Sequence, residues 1–293
     1  MSSRKRAVLA GGSSALILAV ALAAAPSAAS ASVVSPSSQS GPAYNIVGGT
    51  PAAAGAYPFM ASIQDDKGHH VCGGTLVAPS VIMTAAHCVG GQRIVPELAH
   101  QVRVGVTDLT DPVQGIQRGV ASIVRHPLFD FPAAHDDLAF LLLDSPVTTV
   151  LPEPLPPEDD STPPAGQLGI ALGWGQTSPT FDEQPRQRSA HLMKAGLPFH
   201  LSTECTDGQP AGGPQGDTAD GVLCAGGIPG VGICHGDSGG PLLYDGMQVG
   251  IVSLGANPCG SDLDVFTKLS STRLWNTLHL SPEGDAVAKI LNR

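Results

Sequence analysis

The feature that most constrains this chain is a succession of short apolar segments separated by turn residues. Five such segments lie at 74–83, 101–106, 138–143, 168–172 and 247–254. Runs of this length, rich in Val, Ile and Leu and bounded by Gly, Pro and polar residues, are typical of β-strands. Only residues 286–291 near the end predict a short helix. The pattern therefore predicts an all-β barrel or sandwich rather than alternating strands and helices.

Composition and charge narrow the class of protein further. With 42% hydrophobic residues the chain can bury a core, which argues against wholesale disorder. It carries 25 acidic against 15 basic residues, a net charge of −10. A protein that grips a phosphate backbone needs clustered Lys and Arg. We therefore expect no nucleic-acid partner.

The first 45 residues are predicted to lie outside the fold. A basic cluster at 4–6 precedes an apolar stretch at 7–25 and the small-residue sequence Ala29-Ser30-Ala31. This is the pattern of a secretory signal peptide over 1–31, and an uncleaved membrane anchor is the alternative. Residues 32–45, rich in Ser and Pro, predict a spacer or propeptide. We expect an extracellular protein with no membrane attachment after cleavage of the signal.

Secretion bears on the chemical state of the cysteines. An even set in an oxidising compartment predicts three disulfides, among Cys72, Cys88, Cys205, Cys224, Cys234 and Cys259. Six cysteines can pair in many ways, and their spacing alone does not choose among them. Zinc binding ranks lower, because no Cys-x-x-Cys sequence occurs.

A proline-rich segment divides the mature chain. Residues 144–167 contain seven prolines, which cannot serve a central strand. This segment predicts a crossing between two halves, 46–150 and 151–293, each of a size that suits a small barrel.

The strongest chemical signal is the sequence GDSGGP at 236–241. Glycines around Ser238 let the backbone turn sharply, expose the hydroxyl and point N–H groups at one spot, as an oxyanion site requires. A plain glycine-rich turn is the alternative. A serine hydroxyl is a weak nucleophile, so it needs a base, and that base needs an orienting acid.

His87 and Asp137 are the best candidates for the base and the acid. His87 follows an apolar strand and small residues and stands beside a cysteine, whose disulfide would fix the backbone. Asp137 opens the most apolar strand, where a carboxylate needs a hydrogen-bond partner. Its neighbour Asp136 is expected to turn outward, and His69 and His70 are interpreted as solvated residues of a polar turn. Structural or exposed positions are expected for His100, His126, His135, His191, His200 and His279.

Five motifs occur in a fixed order: IVGG at 46–49, TAAHC at 84–88, DLAF at 137–140, GWG at 173–175 and GDSGGP at 236–241. Together they resemble the trypsin/chymotrypsin family of serine proteases, over about residues 46–275. The stretch 46–60 is similar to secreted actinobacterial trypsin-like enzymes. The resemblance implies two six-stranded antiparallel barrels with a short C-terminal helix, an active site in the cleft between them, and polypeptide substrates.

The resemblance also assigns roles to residues. It implies that Ser238 is the nucleophile, His87 the general base and Asp137 its orienter, with an oxyanion hole formed by the N–H groups of Gly236 and Ser238. It selects the disulfides Cys72–Cys88, Cys205–Cys224 and Cys234–Cys259. After cleavage, the new ammonium of Ile46 would pair with Asp237. Because Asn45 rather than Arg or Lys precedes Ile46, we expect a different protease to activate the enzyme.

The pocket that selects the P1 side chain departs from the trypsin pattern. Gly232 stands where trypsin-like members carry an Asp, whereas Asp264 stands where a glycine usually lines the opposite wall. We interpret Asp264 as a carboxylate moved across the pocket, and an outward-facing surface Asp is the alternative. Basic P1 residues, or a broad range of them, are then expected.

Other substrate contacts are expected near this pocket. Ser253, Leu254 and Gly255 resemble the strand that pairs with the substrate backbone. His235 is expected at the pocket mouth, where its titration would add pH sensitivity.

Two other function classes match parts of this sequence. An α/β-hydrolase esterase needs the order Ser, Asp, His, and only His279 follows Ser238, so it is set aside. A secreted protease homologue that acts as a binding protein is the alternative kept open. Proteinaceous inhibitors are expected partners, the chain is expected to be a monomer, and no cofactor is predicted. No metal is predicted either, since residues 106–114 carry acids without a convincing ligand loop.

Overall fold

The fold is seen in a computed structural model, which describes residues 46–90, 99–130, 135–179, 188–206 and 221–293. The predicted signal peptide, 1–31, and spacer, 32–45, lie outside the described residues. Two antiparallel barrels of six strands each account for most of the described chain.

The first barrel follows a two-residue strand, β1 (Thr50–Pro51), and has the strand order β2-β3-β4-β7-β6-β5, closed by pairing of β5 with β2. Its strands are β2 (Met60–Gln64), β3 (His70–Ala78), β4 (Val81–Thr84), β5 (Gln101–Val104), β6 (Ile116–Arg125) and β7 (Ala139–Leu143). A 3₁₀ turn over Ala86–Cys88 follows β4. Strands β2 and β4 are buried along their whole length, as expected for a closed barrel filled by side chains.

The second barrel has the order β9-β10-β13-β12-β11-β8, and β8 pairs with β9 to close it. Its strands are β8 (Leu168–Gly173), β9 (Met193–His200), β10 (Val222–Gly226), β11 (Pro241–Tyr244), β12 (Met247–Leu254) and β13 (Leu263–Lys268). Three short helices are α1 (Ser202–Thr206), α2 (Thr272–Leu278) and α3 (Pro282–Ile290). The predicted all-β class with two six-stranded barrels is confirmed.

Two details differ from the sequence-based expectation. Residues 74–83 are not one strand but the hairpin of β3 and β4, with Thr75 opposite Met83. The apolar run continued through the turn at Pro79, so hydrophobicity alone did not mark the reversal. The C-terminal end holds two helices rather than one, and α2 was missed. Serine side chains cap both helices, Ser271 through the N–H of Leu274 and Ser281 through that of Gly284.

Each half of the chain contributes an element that packs on the other half. Strand β1 pairs with β9 of the second barrel. Helices α2 and α3 instead pack on the first barrel, where Trp275, Leu278 and Val287 are fully buried in its core. The proline-rich crossing forms no strand between residues 144 and 167. The two barrels are thereby tied together at both ends of the described chain.

Three disulfides add covalent ties: Cys72–Cys88, Cys205–Cys224 and Cys234–Cys259. These are the pairs that the resemblance implied. In the part of the chain that the structure describes, every helix is too short or too polar to cross a membrane.

A guanidinium group organises the loop between β5 and β6. Arg103 donates hydrogen bonds to the backbone carbonyls of Leu109 (3.3 Å), Asp111 (2.5 Å) and Gln114 (2.6 Å). Three carbonyls converging on one cation hold the loop in a single conformation, because hydrogen bonds from a charged donor are stronger than neutral ones.

We expect Arg103→Gln to lower the free energy of unfolding by about 1.5–3 kcal/mol, the range for lost hydrogen bonds to a charged group. Urea denaturation of the variant and of the wild-type protein measures this loss. Arg118→Gln is the matched control, because Arg118 also donates to three carbonyls but in an exposed position. It should cost about 0.5 kcal/mol or less. Equal losses in the two variants would contradict the role assigned to Arg103.

Candidate active site

His87 is held by its place in the chain and by one carboxylate. Strand β4 leads into the 3₁₀ turn that contains His87, and the Cys72–Cys88 disulfide anchors that turn to β3. The backbone N–H of His87 donates to Asp137 Oδ1 (2.9 Å), and its ring Nδ1 donates to Asp137 Oδ2 (2.7 Å). Backbone and ring are therefore fixed by the two oxygens of the same side chain.

Asp137 is fully buried just before β7. Besides the two bonds from His87, its Oδ2 accepts the hydroxyl of Ser253 (2.6 Å), and its backbone carbonyl accepts the hydroxyl of Thr267 (3.0 Å). Burial raises the pKa of the Asp137 carboxyl, but the charge of His87 and the hydrogen bonds lower it more, so the net pKa lies below its usual value. The carboxylate is thus ionised, as an orienting acid must be.

The same pairing sets the state of the imidazole. Burial lowers the pKa of His87, whereas the charge of Asp137 and the hydrogen bond to it raise it more, so the net shift is upward. Because Nδ1–H faces the carboxylate, the neutral ring leaves Nε2 as its proton acceptor. Nε2, the nitrogen that a general base would use, therefore lies on the far side of the ring from Asp137.

Ser238 lies on a glycine-rich loop pressed against the first barrel. Gly239 has a φ of +76°, and a Cβ on it would lie 2.1 Å from Thr84 Oγ1. The carbonyl of Ser238 accepts the N–H of Gly73 in β3 (2.8 Å). Only glycine permits this backbone conformation and this close approach. The loop therefore carries Ser238 to the junction of the two barrels, on the cleft that His87 also lines.

Two hydrogen bonds orient the backbone beside Ser238. The carbonyl of His235 accepts the N–H of Gln176 (2.8 Å), and the carbonyl of Gly236 accepts Nε2–H of His70 (2.9 Å). In a trans peptide the N–H points opposite to the carbonyl. The N–H of Gly236 is therefore directed away from Gln176, and Gly236 itself lines the cleft. This arrangement suits an oxyanion site.

The interpretation of His70 as a solvated residue is wrong. Its ring is buried, accepts the hydroxyl of Ser62 at Nδ1 (2.9 Å) and lies 5.4 Å from the ring of Trp174. Burial lowers its pKa to about 4, so the imidazole is neutral and donates through Nε2. Strand alternation could not have placed it, because an extra residue in β3 sets His70 opposite Gln64 and Cys72 opposite Ile63, on different faces of the strand.

The expectation that Asp136 turns outward is also wrong. Its side chain is 3% exposed and forms an ion pair with Arg273 of α2, with Oδ1 at 2.6 Å. The sequence offered no sign of this contact, because the two residues lie 137 positions apart.

The two residues of the expected activation pair, Ile46 and Asp237, are both buried. Ile46 is fully buried in the core of the second barrel, and Val47 accepts the N–H of Gly232 (3.0 Å). Asp237 is also fully buried and accepts the N–H groups of Cys234 (2.9 Å) and Gly175 (2.8 Å). Burial raises the pKa of the Asp237 carboxyl to about 7. A buried carboxyl of this kind is suited to receive a cation.

The cleft itself has a volume of about 490 Å³. The first barrel lines it with Val71, Cys72 and His87. The second half of the chain supplies the rest of its wall, which includes Gly236, Ser238 and the residues Arg188, Ile233, His235, Ser253, Leu254, Gly255 and Ala256. Of the substrate-binding residues predicted from the sequence, His235, Ser253, Leu254 and Gly255 thus belong to this wall.

Asp264 lies directly behind that wall. It is fully buried, and its two oxygens accept the N–H groups of Ile233 (3.0 Å) and Ala256 (3.1 Å). A Cβ on Gly232 would lie 2.9 Å from Asp264 Oδ2, so the carboxylate fills space that a side chain at 232 would need. Burial raises the pKa of Asp264 to about 7, and the charges of Asp237 and Asp262 add to the rise. The alternative of an outward-facing surface Asp is wrong.

The described residues include two His/Cys clusters of metal-binding size, Cys72 with His87 and Cys88, and Cys234 with His235 and Cys259. In each cluster the two cysteines share a disulfide and offer no thiolate. One imidazole is left, which is too few ligands for a zinc site.

Comparison with known proteins identifies the architecture. A family model described as Trypsin matches residues 46–276. The chain belongs to the trypsin family. This trypsin-family chain is 31% identical to the trypsin of Saccharopolyspora erythraea over 212 residues, covering 72% of this chain and 86% of that protein. The family resemblance drawn from the five motifs is confirmed, and the family is one of serine endopeptidases.

Two other similar proteins have names that refer to inhibition or binding rather than to proteolysis. Glucanase inhibitor protein 4 of Phytophthora infestans is 32% identical to this trypsin-family chain over 206 residues, covering 67% of this chain and 74% of that protein. Among solved structures, human heparin binding protein matches with a TM-score of 0.64 and 29% identity, covering 79% of this chain and 95% of that one.

For this trypsin-family chain we expect Gly173→Ala to abolish labelling of the nucleophile by a fluorophosphonate probe. A Cβ at Gly173 in β8 would lie 2.1 Å from Asp237 Oδ1, so Asp237 and the loop that follows it must shift. Gly196→Ala in β9 is the matched control, because its Cβ would meet nothing closer than 3.7 Å. In-gel fluorescence after labelling measures both. Full labelling of Gly173→Ala would show that the loop tolerates displacement of Asp237.

Proposed function

We propose that this chain is a secreted serine endopeptidase that cleaves polypeptides through an acyl-enzyme, with Ser238 as nucleophile, His87 as general base and Asp137 as its orienter. One observation carries the proposal. The buried Asp137 carboxylate holds Nδ1 of His87, which turns Nε2 toward a cleft that Ser238 also lines.

The chemistry follows from these positions. Nε2 of His87 removes the hydroxyl proton of Ser238 as Oγ attacks the carbonyl carbon of the scissile peptide bond. The resulting imidazolium is stabilised by the Asp137 carboxylate, which stays ionised. His87 then passes the proton to the amine of the leaving peptide, and the C–N bond breaks. Water, deprotonated by the same Nε2, attacks the Ser238 ester, the bond from the acyl carbon to Oγ breaks, and Nε2 returns the proton to Oγ as the acid product leaves.

The negative charge that develops on the carbonyl oxygen needs donors in fixed positions. The N–H groups of Gly236 and Ser238 are the proposed donors. The bonds from Gln176 and His70 to the neighbouring carbonyls support this assignment, since they hold the loop in place before the substrate arrives. Such preorganised donors are each worth about 10²–10³ in kcat.

The P1 pocket is proposed to end at Asp264. Its carboxylate lies between Gly232 and Gly255, where small residues leave room for a long side chain to reach it. A basic P1 residue would complete a buried ion pair, whereas the protonated acid would accept apolar residues. We therefore propose basic P1 preference at alkaline pH with broader tolerance below it.

Maturation is proposed to occur by cleavage after Asn45. The new ammonium of Ile46 would pair with Asp237, whose carboxyl is buried and ready for a cation. Because Asn45 is not a trypsin-type cleavage site, another protease would act as the activator. The signal-like sequence at 1–31 and the three disulfides support secretion. Protein inhibitors that fill the cleft are proposed partners, and the site needs only one chain, which fits a monomer.

A binding protein built on the same scaffold is the second candidate. The names of two relatives, a glucanase inhibitor protein and a heparin binding protein, favour it. Two observations argue against a binding protein. His87, Asp137 and Ser238 are all present, and two hydrogen bonds hold His87 to Asp137. Heparin is an anion, and this chain carries a net charge of −10, which disfavours that ligand.

We expect the mature protein to react with a fluorophosphonate probe at neutral pH and to hydrolyse peptide amides, whereas Ser238→Ala does neither. Peptide mass spectrometry of the labelled protein should place the probe on Ser238 and the N-terminus at Ile46. A mature protein that binds substrate-like peptides but takes no label would favour the binding protein. A labelled enzyme with a different N-terminus would leave the triad standing and overturn the ammonium pair.

We expect the ratio of kcat/KM for Arg over Leu amide substrates to rise with pH through about 7. Above this pKa Asp264 is charged and pairs with Arg, and below it the acid is neutral. The titration of His87 affects both substrates and cancels in the ratio. Asp264→Asn should remove the rise and lower Arg cleavage by about tenfold to a hundredfold, the value of a hydrogen bond to a charged group. Asp262→Asn, an exposed neighbour, should change little; if it behaves like Asp264→Asn, the pocket assignment is wrong.

A further inference from the structure

The C-terminal helix α2 contacts the turn that carries the proposed orienting acid. Arg273 in α2 donates two hydrogen bonds to Asp136, from Nη2 to Oδ1 (2.6 Å) and from Nη1 to Oδ2 (3.1 Å). Asp136 is 3% exposed at its side chain, while that of Arg273 is 42% exposed. A two-point arginine–carboxylate contact fixes orientation as well as distance.

The backbone at this turn is unusual. Asp136 has a φ of +52°, in the left-handed region, and Asp137 follows at once. The N–H of Leu138 donates to the carbonyl of Asp136 (2.7 Å), which closes a tight turn around Asp137. Left-handed conformations of residues other than glycine persist where the surroundings hold them. The ion pair to Arg273 is the contact that holds Asp136 from outside its own strand.

A second contact ties the same helix to the same strand. The ring of His126 donates from Nε2 to the carbonyl of Leu274 in α2 (2.9 Å), and its backbone N–H donates to the carbonyl of Leu138 (2.9 Å). His126 is 2% exposed. Helix α2 is thus bonded directly to Asp136 and, through His126, to Leu138 on the other side of Asp137.

We propose that Arg273 is a positioning residue for catalysis: by clamping Asp136, it sets the turn that aims the Asp137 carboxylate at His87. The proposal rests on the triad of the proposed function. Without the guanidinium, Asp136 is left as a buried unpaired carboxylate, and the turn rearranges to bring it to water. The two oxygens of Asp137 then move relative to His87.

The expected kinetic signature follows from this geometry. The pKa of His87 is held up by Asp137, so a displaced carboxylate lowers that pKa and weakens the base. The cleft residues in front of Asp264, which include Ile233, Gly255 and Ala256, belong to the second barrel and do not contact Arg273. Loss of Arg273 should therefore reduce kcat with little change in KM. Misplacement of a catalytic group by about 1 Å costs up to about a hundredfold.

Among the described residues, two charged or titratable groups face Asp136, Arg273 and His126. Burial lowers the pKa of His126, and the charge of Arg273 lowers it further, against the opposing charge of Asp136. His126 is therefore neutral while Arg273 is paired with Asp136. His126→Gln, measured alongside, identifies any contribution of this ring to the pH profile.

The test compares Arg273→Gln and Arg273→Lys with Arg293→Gln in the activated enzyme. Arg293 is the matched control, because it stacks 4.9 Å from the Trp275 ring and pairs with Glu158, and so supports the same helical segment without touching Asp136. The measurements are Tm, kcat, KM and the acid limb of kcat/KM between about pH 5 and 9, which reports the pKa of the base.

We expect Arg273→Gln to lower kcat about tenfold or more, at unchanged KM, and to move the acid limb to lower pH. Arg273→Lys, which keeps one charged contact, should recover part of the loss. Arg293→Gln should lower Tm and leave kcat and the acid limb unchanged. If Arg273→Gln and Arg293→Gln lower Tm alike and leave both kinetic readouts at the wild-type values, the positioning role is overturned.

Should Arg273→Gln fail to fold, Asp136→Asn serves in its place, because Asn tolerates the left-handed region and removes only the charge. It should give the same loss of kcat and the same shift of the acid limb, and wild-type kinetics would overturn the proposal. An inactive wild-type enzyme in the same assay would instead overturn the triad, and the positioning role with it.

Discussion

The burial of Asp137 is the constraint on which the rest of the structure depends. An ionised carboxylate removed from water is costly unless hydrogen bonds and an opposing charge compensate it. The donors to this carboxylate come from both barrels, His87 from the first and Ser253 from a strand of the second, while Thr267 of the second donates to the backbone carbonyl of Asp137. The acid is satisfied only when the barrels are docked in register. The interaction that orients the proposed base is therefore also one that joins the two halves of the fold.

Among the described residues, three fully buried acids differ in pKa because their partners differ. Asp137 pairs with His87, and its pKa lies below the usual value. In the described part of the chain, Asp237 and Asp264 form hydrogen bonds with backbone N–H groups but no ion pair, and burial raises both pKa values to about 7. We propose that each receives a cation that arrives later. For Asp237 the proposed cation is the ammonium of Ile46, and for Asp264 it is a basic substrate side chain.

The sequence predicted the parts of the structure that depend on local order. Five motifs in order identified the family and implied two barrels, and short apolar runs predicted an all-β fold, because apolar runs and turn residues are written in neighbouring positions. Contacts between distant residues could not be read in this way. His70 was interpreted as solvated and Asp136 as outward-facing, yet both are buried by partners more than a hundred positions away. The hairpin at 74–83 was missed because its turn lies within one apolar run. Asp264 is an intermediate case: the family pattern indicated the pocket, whereas the sequence itself left its direction open.

The central claim is that Asp137, His87 and the loop around Ser238 form one preorganised nucleophilic site. A crystal structure of the mature enzyme after reaction with a peptidyl phosphonate tests it most directly. We expect phosphorus bonded to Ser238 Oγ, one phosphoryl oxygen about 2.7–3.1 Å from the N–H groups of Gly236 and Ser238, and Nδ1 of His87 still bonded to Asp137. Phosphorus on another residue, or a phosphoryl oxygen directed to solvent with the His87–Asp137 bond broken, would contradict it.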